Sequence, residues 1–159
     1  RHMGYTHYWS HDEELDRAAL SRALADVAKV VRAVQDRGIV LRGPGGTGEP
    51  ALTEFGVAFN GAAKQGGDYE RFEFPIGREM VHEKGQLWAF CKTARRPYDL
   101  AVCAVLLVFK HHLGAEMRIS SDGGREADEW LPAEALVKEV LGYEVTYQKE
   151  ETLLGRERG

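Results

Sequence analysis

A chain of 159 residues with 43% hydrophobic and 29% charged side chains is long enough for one domain with a real core and too balanced to be disordered. A formal net charge of -4 excludes a surface that attracts polyanions everywhere, so nucleic acid could be met only by a local basic patch. Two cysteines are too few for a disulfide framework, and the longest apolar run, Leu100 to Phe109, is half of the ~20 residues a membrane span needs. Reduced thiols, a cytoplasmic setting and no membrane contact are expected, with no secretory leader visible.

Arg1-His2 ahead of Met3 reads as a tag remnant, so residues 1–3 are set apart from the domain. Tyr5-Thr6-His7-Tyr8-Trp9 is aromatic and β-rich and predicts a first strand, with Tyr5, His7 and Trp9 on one face and Thr6 and Tyr8 on the other. Ser10 followed by Glu13 has the form of a capping box. The helix it would open carries Leu20, Leu24, Val27, Val31 and Val34 as one apolar stripe, with Gly38 as its left-handed stop. Ile39 to Leu41 is a short strand candidate that runs into the glycine-rich stretch Arg42 to Pro50.

Phe55 to Phe59 alternates and ends in Asn60-Gly61, a pair suited to a turn. Tyr69 to Phe74 alternates aromatic against charged, and the two segments are expected to be antiparallel neighbours. Leu87 to Cys91 predicts a further strand. Pro97 predicts the start of a buried helix through His112, with Gly114 as its stop. Beyond it come a strand from Glu116 to Ser120, a turn at Ser121-Asp122-Gly123-Gly124 and a last helix from about Ala127 to Leu141, which tolerates Pro132 only in its first turn. Tyr143 to Tyr147 alternates as a final strand, and Lys149 to Gly159 is a charged tail expected to fray. The order implies a single α+β domain over 4–148, with a mixed or antiparallel sheet and three main helices packed on it.

The densest chemistry is Lys92-Thr93-Ala94-Arg95-Arg96-Pro97-Tyr98-Asp99, where cations gather at the mouth of the buried helix. Lys92, Arg95 and Arg96 could hold a phosphate or carboxylate, with Thr93 and the N–H groups near Pro97 and Tyr98 as neutral donors. The blander possibility is a solvated loop whose arginines pair with surface acids. Other candidates have cheaper explanations. The loop Gly43 to Gly48 lacks both Gly-Lys-Ser/Thr and the G-x-G-x-x-G spacing, and reads as a connection or a lid over a neighbouring site.

His7, His11, His82, His111 and His112 show no metal-ligand spacing, and Cys91 and Cys103 are twelve apart, so no metal site is expected. Cys91 beside Lys92 could carry a lowered thiol pKa, but its flanks describe a core cysteine. His7, between two large aromatics, reads as a satisfied core histidine before it reads as a pocket wall. Ser120-Ser121-Asp122-Gly123 has no nucleophile-elbow pattern.

The opening Gly4-Tyr5-Thr6-His7-Tyr8-Trp9 resembles that of small proteins encoded by phages, prophages and some bacteria. The likeness extends to Gly46-Thr47-Gly48-Glu49-Pro50, Phe59-Asn60-Gly61, Phe90 to Asp99, Lys110-His111-His112-Leu113-Gly114 and Ser120 to Gly123. It implies a setting, that of an intracellular accessory or host-takeover protein, and no mechanism.

Together these features predict a binding protein for an anionic, nucleotide-like small molecule, without a cofactor. Lys92, Thr93, Arg95 and Arg96 would hold the anion, with His7, Tyr98 and Asp99 in wall and orienting roles. An enzyme using His7 or Asp99 as acid–base is the alternative. A protein or nucleic-acid interaction module is a third possibility, with nucleic acid disfavoured by the net charge. Oligomeric state is left open by the sequence.

Overall fold

The computed structural model describes residues 5–75, 81–125 and 130–150. It is an α+β fold in which three helices lie with two antiparallel sheets. The larger sheet has the order β6-β7-β1-β8, from β1 (Thr6–Asp12), β6 (Val81–Glu83), β7 (Gln86–Lys92) and β8 (Met117–Ser121). β1 is therefore a central strand, pairing Tyr8 with Phe90 on one side and with Ser120 on the other. Its position explains a correction at Ser10. Instead of capping a helix, Ser10 continues the strand, is buried, and accepts a hydrogen bond from Arg118 Nε at 3.0 Å.

The cap of α1 (Arg17–Asp36) is Asp16, whose Oδ1 accepts from the Ala19 amide at 3.0 Å. The buried face of α1 is rotated from the expected stripe. Ala19, Ala23, Val27, Val30, Val31 and Val34 are buried, while Leu20 and Leu24 lie on its margin. Gly38, at φ +90, supplies the left-handed turn past the helix end.

The smaller sheet is built on β4 (Val57–Gly61), which pairs with β2 (Leu41–Arg42), β3 (Ala51–Leu52) and β5 (Phe72–Phe74). The expected β4–β5 pairing is present, with Phe59 opposite Phe72. Asn60-Gly61 is not a turn. It extends β4, where Asn60 and Gly61 pair with Arg42 and Leu41 of β2, and Gly61 has no room for a side chain because an added Cβ would collide with the Gly67 carbonyl.

α2 (Asp99–Leu113) is the hub. Every residue from Asp99 to Phe109 is buried, as an all-round apolar helix must be. It packs on α1, on α3 (Trp130–Leu141) and on β8. Its first residue is two beyond Pro97, which instead forms the turn that leads in. Gly114 stops it at φ 57. The start expected for the last helix, about Ala127, falls on residues 126–129, outside the described residues; Pro132 is the third residue of Trp130–Leu141.

The final strand expected at Tyr143 to Tyr147 does not form. The alternation buries Tyr147 in the core, stacked on Trp130 at 4.1 Å, and the Tyr147 amide donates to Glu134 at 2.8 Å rather than to a ladder. Glu150, placed in the tail by sequence, is tied by its amide to the Ile119 carbonyl and by its carboxylate to Lys110 Nζ, each at 3.0 Å. Among the described residues no helix is long and apolar enough to cross a membrane.

Candidate functional site

The segment 92–99 leads from the end of β7 to the start of α2, and the fold splits it. Thr93, Tyr98 and Asp99 turn inward and are fully buried. Lys92 is half-buried, and Arg95 and Arg96 are exposed.

On the inside, Asp99 is the acceptor at the centre of a polar cluster. Its Oδ1 receives the Thr93 hydroxyl at 2.5 Å and lies 2.7 Å from His7 Nε2. The other imidazole nitrogen, Nδ1, is 2.9 Å from Ser121 Oγ. Cys103 Sγ stands 3.4 Å from His7 Nε2 and 3.7 Å from Asp99 Oδ2. His7 is brought here by β1, on the face that meets the helices; its ring meets Tyr5 and Trp130 edge-on at 5.0 and 5.2 Å. Ser121 follows from register, since β1 pairs His7 with Ser121 directly. Asp99 and Cys103 are four apart on α2, hence on one face.

The Asp99–His7–Ser121 order has the connectivity of a nucleophilic triad. Ser121 is only 3% exposed, however, and its oxygen also accepts the Gly123 amide at 3.1 Å, so this hydroxyl is occupied and shielded.

The same geometry answers the helix mouth. The Thr93 and Ala94 amides donate to the Tyr5 carbonyl at 3.1 and 3.2 Å, the Arg96 amide to Thr93 and the Asp99 amide to Arg96. These four amides are thus taken by the chain, and Asp99 itself puts an acidic side chain in the first turn of α2.

On the outside, the cations rest on aromatic rings. The Arg95 guanidinium lies 3.9 Å from the Tyr5 ring centroid, with Ala94 and Arg95 both in left-handed backbone conformations at φ 53 and 59. Lys92 Nζ and the Arg96 guanidinium approach one ring, that of Tyr69, at 5.5 and 5.6 Å. Among the described residues neither Lys92 nor Arg96 makes an ion pair with a carboxylate. The Tyr69–Glu70 segment is fastened to them: the Glu70 amide donates to the Lys92 carbonyl at 3.1 Å, the Lys92 amide to Glu70 Oε1 at 2.7 Å, and the Tyr98 hydroxyl to the Glu70 carbonyl at 2.5 Å.

Tyr69 lines a half-open groove of about 470 Å³ between the two sheets, together with Pro44, Asn60, Glu70, Glu73 and Phe90. Asp68 and Arg71 add further charge to it. Asn60 holds its walls together. Its Nδ2 donates to the Pro44 and Tyr69 carbonyls at 3.1 and 3.0 Å, and its Oδ1 accepts the Gly61 and Tyr69 amides at 2.8 and 3.0 Å. The glycine-rich loop therefore borders the groove through Pro44 and Gly45.

The remaining candidates have structural partners. Cys91 is buried, donates to the Glu70 carbonyl at 3.4 Å, and has its thiol pKa pushed up by burial, the reverse of an activated nucleophile. Burial also pushes the Tyr98 hydroxyl up. His112 Nε2 pairs with Asp26 at 2.8 Å, His111 stacks on Tyr143 at 3.7 Å, and His82 lies 3.2 Å from Glu13.

Sequence reasoning passed over Tyr69, Glu70 and Asn60 because their roles depend on the meeting of the two sheets. Cys103 carried a readable signal, its i,i+4 relation to Asp99; Ser121 depended on strand register. Comparison with family models, with curated proteins and with solved structures returned no match, so geometry alone carries the functional reading.

Proposed function

We propose that the protein binds a small anionic ligand of nucleotide-like chemistry in the groove beside Tyr69, with Lys92 and Arg96 meeting the anionic end. The observation that carries this reading is the convergence of both cations on the ring of Tyr69, itself 44% exposed and part of the groove wall. Asp68, Glu70 and Glu73 suit the hydroxyl or amine donors of a sugar or base, and the groove volume falls in the range of small-molecule sites. The ligand this favours has a planar donor-rich body and a charged end.

Thr93, Tyr98 and Asp99 act behind this surface as positioning residues, and His7 with them. Lys92 and Arg96 flank the groove at the Tyr69 ring, whereas His7 and Asp99 are fully buried, which favours binding over acid–base chemistry on the bound molecule. The phage-type opening supports an intracellular accessory role.

The test is calorimetry and thermal shift with nucleoside mono-, di- and triphosphates and sugar phosphates. Binding by at least one class is expected, weakened about 10–100-fold in the Lys92→Ala/Arg96→Ala double variant, as loss of charge-assisted contacts requires. No binding by any of these compounds, or full affinity in the double variant, overturns the reading.

A further inference from the structure

The buried cluster behind the groove contains a donor set that linear spacing conceals. His7 Nε2, a carboxylate oxygen of Asp99 and Cys103 Sγ all lie within 4.8 Å of one another, and all three residues are fully buried. We propose that this cluster is a site for a divalent transition-metal ion of zinc-like chemistry, with His7 Nε2, Asp99 Oδ2 and Cys103 Sγ as its ligands.

Geometry is the first support. Zinc bonds of about 2.0–2.1 Å to nitrogen and oxygen and about 2.3 Å to sulfur imply donor separations of roughly 3.3–3.6 Å around a tetrahedron. The sulfur already stands 3.4 Å from Nε2 and 3.7 Å from Oδ2. The short contact is Nε2 to Oδ1 at 2.7 Å, a hydrogen bond that the ion replaces. Because Oδ2 faces the sulfur, Oδ1 can keep its bond from Thr93.

The surrounding contacts are those of a metal site. His7 Nδ1 is held by Ser121 at 2.9 Å and Asp99 Oδ1 by Thr93 at 2.5 Å, so the imidazole and the carboxylate are each oriented by a hydroxyl from another element. Metal-binding histidines and carboxylates characteristically have such partners.

Charge and softness narrow the ion. Binding displaces the proton of the Cys103 thiol to solvent, and thiolate, carboxylate and neutral imidazole then balance a dication to zero net charge, which a buried position requires. Sulfur and imidazole donors favour zinc or cobalt over magnesium or calcium. Three protein donors leave the fourth position to a water molecule.

This inference is independent of the ligand in the groove, and its readout is the metal itself. The full chain, free of any polyhistidine tag and stripped with chelator, is titrated with Co²⁺ and followed by absorption. One equivalent is expected, with a thiolate-to-cobalt charge-transfer band and tetrahedral d–d bands that Zn²⁺ abolishes by competition. At a hundredfold excess over Kd, Zn²⁺ should raise Tm by about 5–10 °C.

Cys91→Ser, at the other buried thiol, should keep the charge-transfer band and Cys103→Ser should lose it. Ser121→Ala should weaken binding about tenfold. A wild-type chain that gives neither the band nor a Tm shift overturns the proposal whatever the variants do. A band that survives Cys103→Ser and vanishes in Cys91→Ser overturns it as well.

Discussion

The inner and outer halves of the segment 92–99 share a backbone and differ in nearly everything else. Inside, Thr93 and Asp99 belong to a buried cluster in which the carboxylate, the imidazole and two hydroxyls are mutually bonded. Outside, Lys92, Arg95 and Arg96 make contacts with aromatic rings and face water. A cluster of charges in sequence is therefore two environments in space. The positive end of α2 is met by Asp99 from within the chain, while the groove that Tyr69 lines lies on the outer side.

The largest effect that separates the halves is expected from Asp99→Ala. It leaves His7 and Thr93 without their acceptor in the core, a loss of about 3–5 kcal/mol by the usual cost of breaking a buried pair. Arg95→Ala should cost about 0.5–1 kcal/mol, the worth of an exposed cation–π contact. Urea denaturation of the two variants measures the gap. Equal losses would mean that the inner cluster contributes no more than the surface and that the division is wrong.

Asn60→Ala comes next, because it strikes the groove wall on the outer side. Four hydrogen bonds depend on this side chain, and both backbone groups of Tyr69 are among their partners. A loss of roughly 2–3 kcal/mol is expected from the buried groups left unsatisfied, with greater amide exchange at Tyr69 than at Asp99. Exchange that rises equally in both places would show the groove and the cluster to be one cooperative unit.

How much of this could be read in the sequence follows from the range of each interaction. β1, α1, α2 and the β4–β5 pair were legible because period and composition specify them locally, and Gly114 and Gly38 ended helices where expected. Ser10 was misread because a capping-box pattern and a strand residue bonded to Arg118 look alike until the partner, far away in sequence, is known. Asn60-Gly61 was misread for the same reason, since Gly67 and Tyr69 decide it. Tyr143 to Tyr147 alternates like a strand because one side packs on helices, and alternation reports burial rather than pairing. At the site, His7 was found as a polar residue between large aromatics, and Thr93 and Asp99 as members of the cationic segment at the mouth of α2. Cys103 and Ser121 were not joined to them, since that requires helix phase and strand register together.

A smaller effect sharpens the comparison from the opposite direction. His11 lies on the same face of β1 as His7 and is 1% exposed, but among the described residues no carboxylate bonds to its ring. Its nitrogens lie 2.8 Å from the Asp12 carbonyl and 3.3 Å from the Pro75 carbonyl, and its ring packs 5.1 Å from that of Phe74. Burial, aided by the nearby Arg118 charge, lowers its pKa from the ordinary 6.5, against the pull of the two carbonyls and Asp12.

The unfolded chain therefore binds a proton at His11 before the folded chain does. The stability contributed by its neutral form is complete above about pH 6.5 and is lost as pH falls below it, at no more than ~1.4 kcal/mol per pH unit. Urea midpoints measured from about pH 7 down to pH 5 should decline in the wild type and decline less in His11→Gln. A slope that survives His11→Gln unchanged would show that His11 does not carry the pH response.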